Sequence, residues 1–421
     1  MAINDARKSN LLKSIGPGLI WAGAAIGVSH VVQSTRAGAL YGFGLIWVLV
    51  VANLFKYPAF EFGPRYAAAT GESLLEGYQR LGKWAMIVFI VMTFGTMFSI
   101  QAAVTVVAAG LAGQLFGIGL TPAIWSAILI GVCMVVLLIG RYPLLDMLTK
   151  IIIITLSIST IIAVIVAVTH GRQVQPGFQS PAVWTISGVA FLVAVMGWMP
   201  SAIDISVWNS LWTLERRKQT GHVPTVREAT IDFNIGYLGA ALLSLGFLSL
   251  GALVMYGTGE QFSAKGVAFA GQLVGLYTKS LGEWSRPIIL IAGFTTMFST
   301  VLAVTDAFPR VLRKFTELVI PTIKTRVLDD RLYWIFMFFV AGGALILISW
   351  LSGSMTLMVD LATTLSFLTA PILAYMNHRV ITSPHVPLEA QPPRWLRFLS
   401  MTGITFLTGF GLLFLIWRFV L

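Results

Sequence analysis

The feature that constrains this chain most is the recurrence of apolar stretches long enough to cross a lipid bilayer. A helix needs about 20 mostly apolar residues to do so. The sequence offers eleven such windows, at 16–38, 43–63, 86–116, 121–140, 145–169, 184–211, 233–257, 286–308, 332–351, 354–376 and 396–420. Only 11% of the residues are charged and 57% are hydrophobic, too little polar surface to cover soluble domains of this length. The chain therefore reads as an all-α integral membrane protein. Its gaps, the longest near 29 residues, leave no room for a soluble catalytic domain. The first window is too long, and too polar at its C-terminal end, for a cleaved signal peptide. Cys133 stands alone within an apolar run, which excludes a disulfide framework and a cysteine metal cluster.

Orientation follows from the basic residues, because lysine and arginine are retained in cytoplasmic loops. Alternating the eleven windows puts 21 of the 28 basic residues on one face, beginning with Arg7, Lys8 and Lys13. The other seven are Arg36, Lys56, Arg172, Lys265, Lys279, Arg286 and Arg418. The expectation is a multi-pass protein of the cell's inner (plasma) membrane, with a cytoplasmic N-terminus and an external C-terminus. The net charge of +11 then reports topology, and nucleic acid is not an expected partner.

Two windows carry mid-span interruptions. The first passes through Gly27-Val28-Ser29-His30, and the sixth through Met196-Gly197-Trp198-Met199-Pro200-Ser201, where Pro200 lacks a backbone donor and clashes with the preceding turn. Breaks in corresponding helices of two halves mark the substrate site of transporters built from inverted repeats. Spans one and six open two successive sets of five. The expected organisation over 1–421 is one transporter domain, with repeat one at about 14–170, repeat two at about 182–380 and an extra helix at about 395–420. Unwound backbone offers carbonyls to a cation and helix N-termini to an anion, so the breaks leave the sign of the substrate open.

Gly16-Pro17-Gly18, the run Ala37-Gly38-Ala39-Leu40-Tyr41-Gly42-Phe43, Leu45-Ile46-Trp47-Val48, Asn53-Leu54, Ala69-Thr70-Gly71 and Met199-Pro200 together resemble the natural resistance-associated macrophage protein (Nramp) family of divalent-metal transporters, across nearly the whole chain. The resemblance implies a leucine-transporter-like fold, five plus five helices with spans one and six broken, and a substrate between them. It also implies where this chain departs. The family's Asp-Pro-Gly-Asn falls on Gly27-Val28-Ser29-His30, without a carboxylate or a carboxamide. Its coordinating methionine is kept as Met199, while the histidine of Met-Pro-His becomes Ser201 and the next histidine Ser206. The acidic pair of its proton route falls on Gln101 and Val104, so proton coupling by the family's route is not expected.

The expected substrate-binding set is thus Gly27, Val28, Ser29, His30, Met196, Met199 and Ser201, with His30 and Met199 as metal ligands suited to soft or borderline cations. Arg36, Gln101, Asp204 and Asp360 are gating or coupling candidates, with Arg36 and Asp204 a candidate pair on the outer halves of spans one and six. Trp198 either stacks on an organic substrate or seals the pocket. Glu61 with Arg65 and Asp146 with Lys150 read as structural i,i+4 pairs. Breadth of resemblance favours a divalent cation moved by alternating access. Loss of the carboxylate and amide favours the alternative, a small organic solute or an anion. No Ser/His/Asp constellation, HExxH or Gly-rich nucleotide loop is present, so neither enzymatic chemistry nor a cofactor is expected. The expected partners are the transported species and the bilayer.

Overall fold

The computed structural model describes residues 14–171, 174–321, 326–351 and 353–419, without the side chains of 140–153, 170 and 326–330. Among the predicted features, Arg7, Lys8, Lys13, Arg172 and Lys324 lie outside the described residues, as do the side chains of the Asp146–Lys150 pair. The described chain is helical and contains no strand. The elements are α1 (Pro17–Ala25), a π-helical turn (Ser29–Ser34), α2 (Thr35–Tyr41), α3 (Ile46–Thr70), α4 (Leu74–Leu81), α5 (Lys83–Phe116) and α6 (Pro122–His170). There follow α7 (Ile186–Gly197), α8 (Ile205–Thr220), α9 (Val226–Val254), α10 (Gly266–Leu281), α11 (Arg286–Val319), α12 (Arg326–Trp350), α13 (Met355–Ile381) and α14 (Arg394–Phe419). By length and composition, eight described stretches are long and apolar enough to cross a membrane, and Ile154–Thr169 and Ile186–Gly197 are shorter apolar helices. Large apolar side chains such as Leu242, Phe338, Phe398 and Trp350 point out of the bundle, as a bundle solvated by hydrocarbon requires.

Two features depart from the predicted spans. Windows 121–140 and 145–169 are one 49-residue helical element, α6. Straight, it would measure about 74 Å, more than twice a bilayer core. Past its C-terminal end, the Gln175 amide donates to the Gly257 carbonyl at 2.9 Å. The gap after window seven also holds a helix, α10, whose Phe269, Leu273 and Tyr277 are buried. A single buried stripe on a 16-residue helix is too short and too polar to give a spanning signal in the sequence.

What fixes the lower half of the first span is a set of contacts with α9. Pro17 opens α1, where its missing N–H is no loss, and the orphaned amides of Gly16 and Gly18 donate to the Asp232 carboxylate at 2.9 and 2.6 Å. Asp232 is thus a helix cap supplied from another helix, a favourable place for an anion. Trp21 then packs among Phe60, Phe233 and Tyr237, with ring centroids 5.2–5.4 Å apart. Above the break, Gly38 and Gly251 let α2 and α9 touch backbone to backbone. The Glu61–Arg65 pair forms as predicted, at 2.6 Å, with Thr230 donating to the same carboxylate.

Candidate transport site

The first span is interrupted at Ile26–Gly27. α1 ends at Ala25, Ile26 leaves the helix at ψ 76°, and helical bonding resumes when the His30 and Val31 amides reach the Gly27 carbonyl. The gap begins one residue ahead of the predicted Gly27–His30 interruption. Ser29 and His30 belong to the π-helical turn that follows. The freed carbonyls are answered from α11: the Thr300 hydroxyl donates to Gly23 O at 3.0 Å and lies 3.5 Å from Ile26 O. Gly27 sits against that same threonine, and a Cβ there would come within 2.6 Å of its Oγ1.

The sixth span is interrupted over Trp198–Asp204, between α7 and α8, and contains a cis Met199–Pro200 bond. This gap reaches three residues beyond the predicted Gly197–Ser201. Gly197 closes α7 against α13, where a Cβ would stand 1.9 Å from the Thr363 carbonyl. The Trp198 indole donates to Ser366 Oγ at 2.7 Å, which ties it to α13. Met196 and Met199 are fully buried, and Ser201 is half-buried.

His30 is turned away from this second gap. Its Nε2 donates to the Ala240 carbonyl on α9 at 2.9 Å, and Nδ1 meets the Ser29 hydroxyl at 2.7 Å. Both ring nitrogens are engaged in this structure, as a buried imidazole takes the nearest partners for its two nitrogens. No group of three or more His, Cys, Asp or Glu able to hold a metal occurs among the described residues.

Arg36 pairs with Asp360 and not with Asp204. Its two terminal nitrogens reach the two carboxylate oxygens at 2.7 and 3.2 Å, its guanidinium lies 5.1 Å from the Phe191 ring centroid, and Gln33 bridges both partners. The planar fork of arginine favours such a bidentate partner. This cluster joins α2 to α13. Gln101, from α5, donates to Thr305 on α11 at 3.2 Å, while its carbonyl oxygen stays without a partner. Val104 is buried and apolar.

The residue that sequence reasoning passed over is Lys56. Counted among the seven outer-face basic residues, it instead sits in the middle of α3 with no exposed surface. Its ammonium donates to the carbonyls of Met196 (2.6 Å), Gly197 (2.8 Å) and Ser201 (3.1 Å). An ammonium has three donors, and here all three are spent on the break of span six. Asp204 is its electrostatic partner without forming a direct ion pair, and Asp204 Oδ2 is buried without a hydrogen bond. Each charge stands at the helix end that favours it, Lys56 at the C-terminus of α7 and Asp204 at the N-terminus of α8. A lysine eleven residues into an apolar span was the available signal, since an intramembrane charge is functional by default.

An all-helical membrane bundle with two interrupted helices, each pinned by polar groups from neighbours, is the architecture of multi-pass transporters. The family model described as natural resistance-associated macrophage protein-like matches residues 18–417, and the chain belongs to this family. It is 36% identical over 406 residues to an uncharacterized protein of Pasteurella multocida (strain Pm70), covering 96% of this chain and 92% of that one. Among solved structures it is similar to the Eremococcus coleocola manganese transporter in complex with an aromatic bis-isothiourea substituted compound. The TM-score is 0.70 at 15% identity, over 96% of this chain and 86% of that one. It is also similar to MhsT in complex with L-phenylalanine (TM-score 0.56, 14% identity, 94% and 98% covered). A third match is Mhp1, a nucleobase-cation-symport-1 family transporter, in a closed conformation with bromovinylhydantoin bound (TM-score 0.57, 14% identity, 96% and 91% covered). The chain shares the fold of these transporters.

Proposed function

We propose that this protein is an alternating-access transporter whose substrate is a small organic solute or an anion, carried between the breaks of spans one and six. The observation that carries the reading is the state of the donors a divalent cation needs. The carbonyls of Met196, Gly197 and Ser201 hold the Lys56 ammonium, those of Gly23 and Ile26 face Thr300, and the His30 ring is taken by Ala240 and Ser29. A fixed positive charge in a low-dielectric site repels a metal ion; among the described residues the first break carries no carboxylate, and Asp204 at the second stands across from the Lys56 ammonium. The eleven-span arrangement as two inverted sets of five plus one, within a single domain, belongs to the same reading. So does a cytoplasmic N-terminus in the plasma membrane, with the Arg36–Asp360 cluster as the gate on the outer face.

Gln101 and Val104 support transport without proton coupling along α5, because neither side chain ionises. A second reading, a divalent metal, is favoured by Met199, a thioether kept at the break, and by the fold shared with the manganese transporter of Eremococcus coleocola. Reconstitution into liposomes that enclose a metal-quenched fluorophore separates the two. The proposal expects no quenching from external manganese or cadmium above protein-free vesicles. Saturable quenching overturns it in favour of the second reading.

A further inference from the structure

We propose that Lys56 is a tethered cation: its ammonium fills a built-in cation site at the break of span six, so that this transporter needs no free ion there. The inference rests on the reading that the two breaks form the transport site.

The site has the chemistry of a hard-cation cradle. Three carbonyl oxygens, those of Met196, Gly197 and Ser201, converge within 3.1 Å of one point, the position of Lys56 Nζ. Asp204 contributes one negative charge across the break, and its Oδ2, buried and unpartnered, is the polar atom left over. Oxygen-only ligands with a single formal charge suit a monovalent cation, whose hydration shell backbone carbonyls replace. A free ion would have to be captured from water on every cycle. An ammonium at the end of a side chain rooted in the middle of α3 is present at all times, and its effective concentration does not depend on the medium.

The surroundings are built to keep that charge in place. On the same helix, Gly63 allows α3 to approach α8 so closely that a Cβ would lie 2.3 Å from the Ser206 carbonyl. Asn377, from α13, donates to Ser206 Oγ at 2.8 Å and to the Ala59 carbonyl at 2.9 Å, and accepts from Tyr78 at 2.5 Å. This network clamps α3, α8 and α13 around the cradle without spending a charge. Lys56 and Asp204 are therefore the two formal charges at the break. Removing the first leaves three carbonyls and a carboxylate facing an empty space of cation size.

The test uses the full-length protein in detergent with choline as the only background cation. Thermal unfolding is followed while sodium, potassium or methylammonium is titrated, for the native chain, Lys56→Ala and Lys56→Gln. The native protein is expected to show no saturable response. Lys56→Ala is expected to unfold at lower temperature and to regain several degrees, saturably, with methylammonium or an alkali cation, because a ligand that binds only the folded state raises its stability. If Lys56→Ala does not fold, Lys56→Gln keeps two donors for the carbonyls, and its expected result is the same saturable response at smaller amplitude. Saturable stabilisation of the native protein by any of these cations overturns the proposal. So does a folded Lys56→Ala or Lys56→Gln protein with no cation response. Failure of the substrate reading alone has a different signature: manganese crosses the liposome membrane while the Lys56 variants still gain their cation response.

Discussion

Removing the charge of Asp360 should loosen the outer gate, and the structure sets the size of the effect. Arg36 and Asp360 make two hydrogen bonds, at 2.7 and 3.2 Å, with side chains 14% and 36% exposed. Unit charges 4 Å apart attract by about 4 kcal/mol at an effective dielectric constant of 20. Desolvation, side-chain ordering and solvent screening at this partly exposed position reduce the net to about 1 kcal/mol. In Asp360→Asn the contact of Arg36 with Phe191 and its hydrogen bond to Gln33 persist, so that net term is what is lost. It corresponds to roughly a fivefold shift of the closed-to-open equilibrium. The assay is labelling of a reporter cysteine, Ser201→Cys, by a membrane-impermeant maleimide added on the Arg36 side. Background is low because Cys133 is the chain's single cysteine and is buried. Labelling should quicken about fivefold in Asp360→Asn and return towards the original rate when the charges are exchanged as Arg36→Asp with Asp360→Arg. Unchanged or slower labelling in Asp360→Asn refutes the gating argument.

Three further outcomes follow from the same geometry. His30→Ala should lower stability by about 1–3 kcal/mol, because the Ala240 carbonyl loses its buried donor, yet leave ligand affinity unchanged; calorimetry on both counts checks this, and lost affinity would restore His30 to the site. Gly197→Ala should abolish folded yield in size-exclusion chromatography, since its Cβ would stand 1.9 Å from the Thr363 backbone, where backbone cannot yield as a flexible side chain does; a well-behaved variant would count against the close packing of α7 on α13. Outside the membrane, partial burial pushes the Glu72 carboxyl up, but hydrogen bonding and attraction from Arg80 outweigh it and hold the group below the ordinary carboxylate range. A lowered native pKa contributes stability above the unfolded value, near 4.3, and that contribution is lost as pH falls through the native value. Hydrogen exchange of the 71–82 segment should therefore stay protected through ordinary carboxylate titration and open only in stronger acid, and Arg80→Gln should move the opening to higher pH.

Much of the fold was legible because hydrocarbon imposes one pattern on any helix that crosses it. The third, seventh and tenth windows, 86–116, 233–257 and 354–376, lie on α5, α9 and α13 within a few residues at most ends. Both interruptions were legible too, since glycine and proline mark them chemically. Their limits were not: where a helix resumes depends on which neighbour answers its carbonyls, and Thr300 and Lys56 are far away in sequence. The same reason hid the partners. Arg36 lies about two turns beyond its break while Asp204 lies within the other, and the carboxylate that meets Arg36, Asp360, is 324 residues away. The hydrogen-bond partner of His30, the Ala240 carbonyl, lies 210 residues on. Lys56 lies inside the second window, and only the packing of α3 against the gap puts its head on the carbonyls.

The central claim is that the site between the breaks takes a small organic solute or an anion and not a divalent metal. Isothermal titration of the purified protein with manganese, cadmium and magnesium, and with a panel of small organic amines and acids, tests it most directly. The account predicts no saturable heat from any of the metals and a saturable signal from a member of the organic panel. Saturable heat from manganese or cadmium that disappears in Met199→Ala would contradict it.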